Sequence, residues 1–169
     1  MYEENGNLAW YAIRTRSRHE KLVHQQLDSR RVEAFLPLVE RRRRWKDRWK
    51  NVDFPLFPGY CFARFPYQDR LSVVTAVGVV QILGINGIAI PVPDHEIEAV
   101  RQLVTCTLPF DPHPYLKEGM EVEVVRGSLA GVRGILIRKG ARARLVVAIS
   151  LIQQAASVEL DAADVLPVG

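Results

Sequence analysis

The sequence contains little cysteine and no long apolar run. Only two cysteines, Cys61 and Cys106, occur among 169 residues, and they form no CxxC pair. A disulfide framework is therefore not expected, and a reducing cytoplasm is the predicted location. No apolar stretch approaches the roughly 18 residues that a membrane-spanning helix needs. The polar, acidic start "MYEENGNLAW" also differs from a signal peptide.

Patterns that carry catalysis or metal binding are equally scarce. His19 and His24 flank Glu20, but they are five residues apart, which places them about 140° from each other around a helix. The metal-binding HExxH motif needs histidines four apart, on one helical face. No Ser–His–Asp or Cys–His pattern has a recognisable context. The sequence therefore predicts a protein that is not an enzyme and has no metal or cofactor.

Positive charge is abundant but local. Residues 1–105 hold 16 Lys/Arg and 12 Asp/Glu, whereas residues 106–169 hold 7 of each. The segment "RRRRWKDRWK", residues 41–50, alone holds seven cations and one anion. Such a concentration is typical of a surface that binds a polyanion, most often nucleic acid.

The basic segment also carries interleaved tryptophans. Treated as one strand, it directs its alternate cations to one side, where they could follow a phosphate backbone. Trp45 and Trp49 would share the other side and could stack on unpaired bases. The alternative is a solvated hairpin tip. The predicted nucleic-acid-binding residues in this segment are Arg42, Arg44, Trp45, Lys46, Arg48, Trp49 and Lys50.

The next segment, "FPLFPGYCFARF" at residues 54–65, is apolar on both sides. A half-exposed strand normally alternates apolar and polar residues, but here both sets of alternate positions are apolar. One interpretation is a fully buried strand. Pro55 and Pro58 disfavour a central strand, because proline lacks a backbone donor. The other interpretation is a strand whose second face binds a partner, since exposed apolar patches mark interfaces.

The order of predicted elements indicates two domains. Strand and helix patterns alternate up to residue 105, which favours an α+β domain with an antiparallel sheet over residues 8–105. Three prolines in "CTLPFDPHPYLKEG" predict a semi-rigid linker at residues 106–116. Residues 117–169 contain β-branched runs separated by glycine-containing turns, which favours a small all-β barrel.

Several of these segments together resemble the NusG family of transcription elongation factors. In the first domain the resemblance rests on "WYAIRTRSRHEKLV", "FLP", "PLFPGYCFARF" and "GVVQIL". In the second it rests on a KOW motif, an SH3-like barrel element, followed by "VELDAADV". The KOW positions are Gly119, Val122, Val124, Gly127, Gly131, Gly134 and Ile135.

The resemblance implies a function and sites. In this family the second face of the N-terminal sheet binds the clamp helices of the RNA polymerase beta-prime subunit. The matching positions here are Phe57, Pro58, Tyr60 and Phe62. Arg16 matches a family position near upstream DNA, so upstream DNA or the non-template strand is an expected partner. The implied protein is a monomeric factor that promotes processive elongation or antitermination.

Other details resemble the operon-specific antiterminators of the UpxY type, including the basic insert and the "PHPYLKEG" linker. Ile152 and Gln153 stand where the housekeeping family carries a Phe-Gly pair that engages Rho or a ribosomal protein, and Ala162 replaces a later aromatic residue. Binding to Rho or the ribosome is therefore not expected. The alternative function is a stand-alone RNA-binding KOW module of ribosomal-protein type. The neutral charge of residues 106–169 argues against it.

Overall fold

The computed structural model describes residues 6–106, 110–114, 119–124, 126–139, 142–160 and 165–167. Its internal contacts divide the chain into two compact units, Met1–Val92 and Pro93–Gly169. No helix in the described part of the chain is long and apolar enough to cross a membrane.

The first unit is an α+β structure, as predicted. Its strands are β1 (Leu8–Thr15), β2 (Glu33–Phe35), β3 (Leu38–Trp45), β4 (Arg48–Pro55), β5 (Tyr60–Pro66), β6 (Val79–Ile82), β7 (Gly84–Ile85) and β8 (Ile88–Ala89). Its helices are α1 (Glu20–Ser29) and α2 (Leu71–Val74). Four strands form one antiparallel sheet in the order β2-β5-β1-β6.

One face of this sheet is the core of the first unit. Alternate residues of β1 and β5 point to this face, including Ile13 and Cys61, which are paired in register. The helices contribute Val23 and Leu27 from α1 and Val73 from α2 to the same buried cluster. Leu22, which lies next to Val23 in the sequence, is 40% exposed, so only a narrow face of α1 packs on the sheet.

Two hairpins extend the first unit. Strands β3 and β4 pair over their full length, from Leu38 with Pro55 to Trp45 with Arg48, and form a separate two-stranded sheet. The basic segment 41–50 forms the tip of this hairpin. A second hairpin lies in "GINGIAI", where Ile85 pairs with Ile88 across Asn86 and Gly87.

The second unit contains one helix and a six-stranded antiparallel sheet. The helix is α3 (Asp94–Thr105), and the strands are β9 (Phe110–Pro114), β10 (Met120–Val124), β11 (Arg133–Lys139), β12 (Arg142–Ile149), β13 (Gln154–Leu160) and β14 (Val165–Pro167). The strand order is β14-β10-β11-β12-β13-β9. Within the segment expected to be a linker, residues 110–114 pair with β13.

Helix α3 packs against β12 within the second unit. Ile97, Val100 and Leu103 are buried at helical spacing. The side chain of Glu96 accepts hydrogen bonds from the backbone N–H of Ser150, at 3.3 Å, and from its hydroxyl, at 2.8 Å. The sequence reasoning had grouped this helix with the first domain.

Candidate functional site

A tight turn interrupts the apolar segment that was predicted as one strand over residues 54–65. The segment leaves β4 at Pro55, turns, and enters β5 at Tyr60. The backbone N–H of Tyr60 donates to the carbonyl of Phe57 at 3.2 Å. Pro58 and Gly59 lie between them, and Gly59 has φ of 83°. Proline followed by a residue with positive φ is the signature of a type II turn, so the Pro-Gly pair explains the break.

Two hydrogen bonds to Gly59 stabilise the turn. Its backbone N–H donates to Oε1 of Glu20 at 2.8 Å, and its carbonyl accepts from the backbone N–H of Thr15 at 2.8 Å. Glu20 is only 6% exposed, although it is a carboxylate at the start of α1. Buried polar groups are normally hydrogen-bonded, and this one is. Sequence reasoning had considered Glu20 only as part of a metal motif and missed this role.

The second face of the sheet is rich in aromatic side chains. On β5, Phe62 is paired with Ala12 of β1 and with Phe35 of β2. The ring of Phe62 stacks on Phe35 at 6.2 Å between centroids and meets Phe57 edge-on at 6.4 Å. Tyr60 lies on the same side of β5, since side chains alternate along a strand. We call Phe35, Phe57, Tyr60 and Phe62 the aromatic face.

The four predicted polymerase-binding residues differ in exposure. Phe57 and Phe62 are 1% and 0% exposed, whereas Pro58 is exposed and Tyr60 is partly exposed. The rings of Phe57 and Phe62 meet edge-on, and both are buried. Pro58 and Tyr60 remain available for direct contact.

The opposite side of β5 is core, and Cys61 lies there. The cysteine is fully buried. Burial, with a further contribution from the Glu20 carboxylate, raises the pKa of the Cys61 thiol to about 12. The thiol therefore stays protonated at neutral pH, which fits a structural residue and not a nucleophile.

The basic hairpin does not present its predicted row of cations on one side. The chain reverses at Lys46 and Asp47, with Lys46 at φ of 50°. In an antiparallel pair, directly opposite residues point to the same side. Arg44 pairs with Trp49, and Trp45 pairs with Arg48. The two tryptophans therefore lie on opposite faces. The prediction placed them on one face because it treated the segment as a single strand and left out the turn between them.

The tip of the hairpin is open to solvent. Every residue from 41 to 50 is exposed, with Trp45 and Trp49 at 65% and 58%. The guanidinium of Arg42 lies 5.2 Å from the ring centroid of Trp49, and that of Arg43 lies 5.4 Å from the ring of Phe54. Arg16 is also exposed, but it follows β1 and is not part of the hairpin.

The KOW positions lie around β10 and β11. Val122 and Val124 are buried, and the backbone N–H of Gly131 donates to the carbonyl of Val124 at 2.8 Å, which closes the turn between the strands. Ile152, at the position of the family's phenylalanine, is buried at 8% exposure. Gln153 has φ of 51°, a left-handed conformation that glycine adopts more easily. Ala162 lies outside the described residues.

No cluster of three or more metal-ligating side chains occurs among the residues that the structure describes. His19 instead uses Nδ1 in a 2.8 Å hydrogen bond with the carbonyl of Ser17.

Comparison with known proteins defines the class and then the family. A family model described as "Transcription termination factor nusG" matches residues 8–101, more than half of the chain. The match covers the four-stranded sheet, both hairpins and most of α3, so the class is a transcription factor. The chain belongs to the NusG family. This family is non-enzymatic, acts in transcription elongation and binds RNA polymerase.

One solved structure has a similar fold. NusG of Thermotoga maritima, in a structure titled for its domain interaction, is 19% identical with a TM-score of 0.56, over 96% of this chain and 98% of that chain. An MjSpt4:Spt5 complex is 16% identical in conformation A and 15% in conformation B, over 95% of this chain and 98% or 97% of those chains. Their TM-scores are 0.31 and 0.30. A search of curated proteins finds no match.

Proposed function

We propose that this protein binds the clamp helices of the RNA polymerase beta-prime subunit and promotes processive elongation or antitermination. The observation that carries the proposal is the aromatic face. It lies on the side of the sheet opposite the core that packs on the helices. The turn at Pro58 and Gly59 places Tyr60 at the edge of the aromatic face. Aromatic side chains at a partly exposed, preformed site are typical of interface centres.

The four predicted residues have two roles at this site, direct contact with the partner and packing beneath that contact. Pro58 and Tyr60 make the outer contact, because they are the accessible members. Phe57 and Phe62 pack beneath them and fix the geometry of the turn. A rigid contact costs less conformational entropy on binding than a mobile one.

Binding of this kind would favour elongation by shifting a population. A ligand stabilises whichever polymerase conformation it binds more tightly. A factor that bridges the clamp in its closed state therefore lowers the fraction of paused polymerase. Contact of Arg16 and the basic hairpin with upstream DNA or the non-template strand would add to the same effect.

The second unit has a separate role in the proposal. Strands β10 to β14 form a KOW-type barrel within residues 117–169, which binds a further factor. Residues 106–116, of which 110–114 pair with β13, connect this barrel to residues 8–105. Tethering raises the effective concentration of that factor at the polymerase. Ile152 is buried and is not aromatic, so the factor differs from Rho and from the ribosome. This difference and the basic insert favour a specialised, UpxY-like role.

The test is transcription in vitro on a template with a strong pause. The wild-type protein should shorten the pause, and Tyr60→Ala should lose most of this effect. Leu71→Ala is the matched control, since Leu71 is 66% exposed on α2, in the helix layer on the other side of the sheet. Equal pausing with and without the wild-type protein would refute the proposed function.

A further inference from the structure

The two faces of the basic hairpin differ in charge. One face carries Arg42, Arg44 and Trp49, with Glu40 and Asp53 further along the same side. The other face carries four cations and no carboxylate. We call this the cationic face, and its members are Arg41, Arg43, Trp45, Arg48 and Lys50. The first face is thus neutral in sum, whereas the cationic face concentrates the positive charge of the hairpin.

Among the described residues, no carboxylate forms an ion pair with a cation of this face. Arg43 and Lys50 are directly opposite each other across the two strands. Like charges in this arrangement destabilise a hairpin. An arrangement that weakens the isolated hairpin points to an external anion that the face binds.

The two tryptophans also differ. The ring of Trp49 is already covered on one side by the guanidinium of Arg42. No described cation lies over the ring of Trp45, which is 65% exposed beside Arg48 at the end of the hairpin. An uncovered indole ring flanked by cations combines base stacking with phosphate binding.

We propose that the cationic face binds a single strand of nucleic acid, with Trp45 stacking on a base and Arg41, Arg43, Arg48 and Lys50 binding phosphates. This inference rests on the proposed function, since it assigns the nucleic-acid contact to one side of the hairpin. It adds Arg41 and Arg43 to the binding residues and removes Arg42, Arg44 and Trp49 from them. A single strand is favoured over a duplex because Trp45 can stack only on an unpaired base.

The test uses two double variants of the full chain with equal loss of charge. Arg43→Gln with Lys50→Gln changes the cationic face, and Arg42→Gln with Arg44→Gln changes the other. Each pair includes one arginine that stacks on an aromatic ring, so lost packing is matched as well. Anisotropy titrations with short single-stranded DNA, single-stranded RNA and duplex DNA are run between about 50 and 200 mM salt.

The cationic-face variant should bind single strands about tenfold more weakly, and its salt slope should fall by about 1.4, or 0.7 for each lost phosphate contact. The other double variant should change neither quantity much. Trp45→Ala should weaken binding about tenfold, and Trp49→Ala should do so far less. The DNA and RNA arms show which strand is preferred.

Equal weakening by the two double variants would overturn the inference. So would equal effects of the two tryptophan changes, absent single-strand binding by the wild type, or tighter binding of the duplex. Thermal melting checks that all variants fold. The titrations contain no polymerase, so they decide this inference independently, whereas the pause assay decides the proposed function.

Discussion

Glu20 links the start of α1 to the turn that presents Tyr60. Its carboxylate is buried, and it satisfies the backbone N–H of Gly59. Alanine at this position would leave that N–H without its partner in a partly buried site. Loss of such a bond costs about 1–3 kcal/mol.

We therefore expect Glu20→Ala to lower the free energy of unfolding by about 1–3 kcal/mol in urea titration, and to weaken polymerase binding. Glu33→Ala is the control, because its ion pair with Arg64 is 3.7 Å long and exposed. An exposed pair of this kind contributes at most about 1 kcal/mol. Equal losses from the two variants would show that the bond to Gly59 has no special importance.

Cys61 makes the stability of the folded protein depend on pH in the alkaline range. Its pKa is raised from 9.0 to about 12 in the folded state. Between these values the unfolded chain has lost the thiol proton and the folded chain has kept it, so stability falls as pH rises. Tyr11 also has a raised pKa, from burial and from Tyr67, and acts in the same direction.

Cys61→Ala should remove the cysteine part of this dependence. Between about pH 8 and pH 10.5 the wild type should lose about 2 kcal/mol more stability than the variant, at 1.36 kcal/mol for each pH unit above the unfolded pKa. Denaturant titrations at the two pH values measure this directly. Parallel losses in both proteins would mean that the thiol does not control the alkaline transition.

At the scale of elements, short sequence patterns predicted the strands, helices and turns that depend mainly on neighbouring residues. The strand β1, the helical spacing of Ile97 and Val100, and the Asn86–Gly87 turn are all present in the structure. The strand over residues 54–65 was wrong because a Pro-Gly turn divides it. The Pro58–Gly59 pair was the sequence signal for this turn. It was overlooked because alternate positions on both sides of the predicted strand are apolar.

The basic hairpin was predicted only in part. Its position and charge were predictable, but its faces were not, because they depend on where the chain reverses. Placing the turn at Lys46 and Asp47 puts Trp45 and Trp49 on opposite sides. The burial of Phe57 and Phe62 is likewise a tertiary effect, since their spacing in the sequence does not show that the two rings meet edge-on.

Helix α3 offers a test at the same scale. Glu96 accepts both hydrogen bonds that join it to Ser150. In the full chain, Glu96→Ala should speed hydrogen exchange at the Ser150 amide and lower stability by about 1 kcal/mol. Glu98→Ala is the control, because Glu98 only pairs with Arg101 at 3.7 Å on an exposed surface. Unchanged exchange at Ser150 would show that α3 is not held to β12 through this carboxylate.

At the scale of the whole molecule, the order of an α+β part followed by a strand-rich part was evident from the sequence. Helix α3 lies within the predicted first domain, and most of it lies within the family match, whereas the internal contacts place it in the unit Pro93–Gly169. Amphipathic spacing shows that a helix is buried but not which surface buries it. The resemblance to the NusG family, read from short motifs in order, is confirmed by the family match over residues 8–101.

The central claim is that the aromatic face binds the polymerase clamp. The most direct measurement is equilibrium binding of labelled full-length protein to RNA polymerase and to polymerase that lacks the tip of its clamp helices. Tyr60→Ala should weaken binding to intact polymerase by about 2 kcal/mol, roughly thirtyfold, while Leu71→Ala leaves it unchanged. Neither variant should bind the truncated polymerase differently from the wild type. Tight binding of wild-type protein to the truncated polymerase, or equal affinities of Tyr60→Ala and the wild type for the intact enzyme, would contradict the claim.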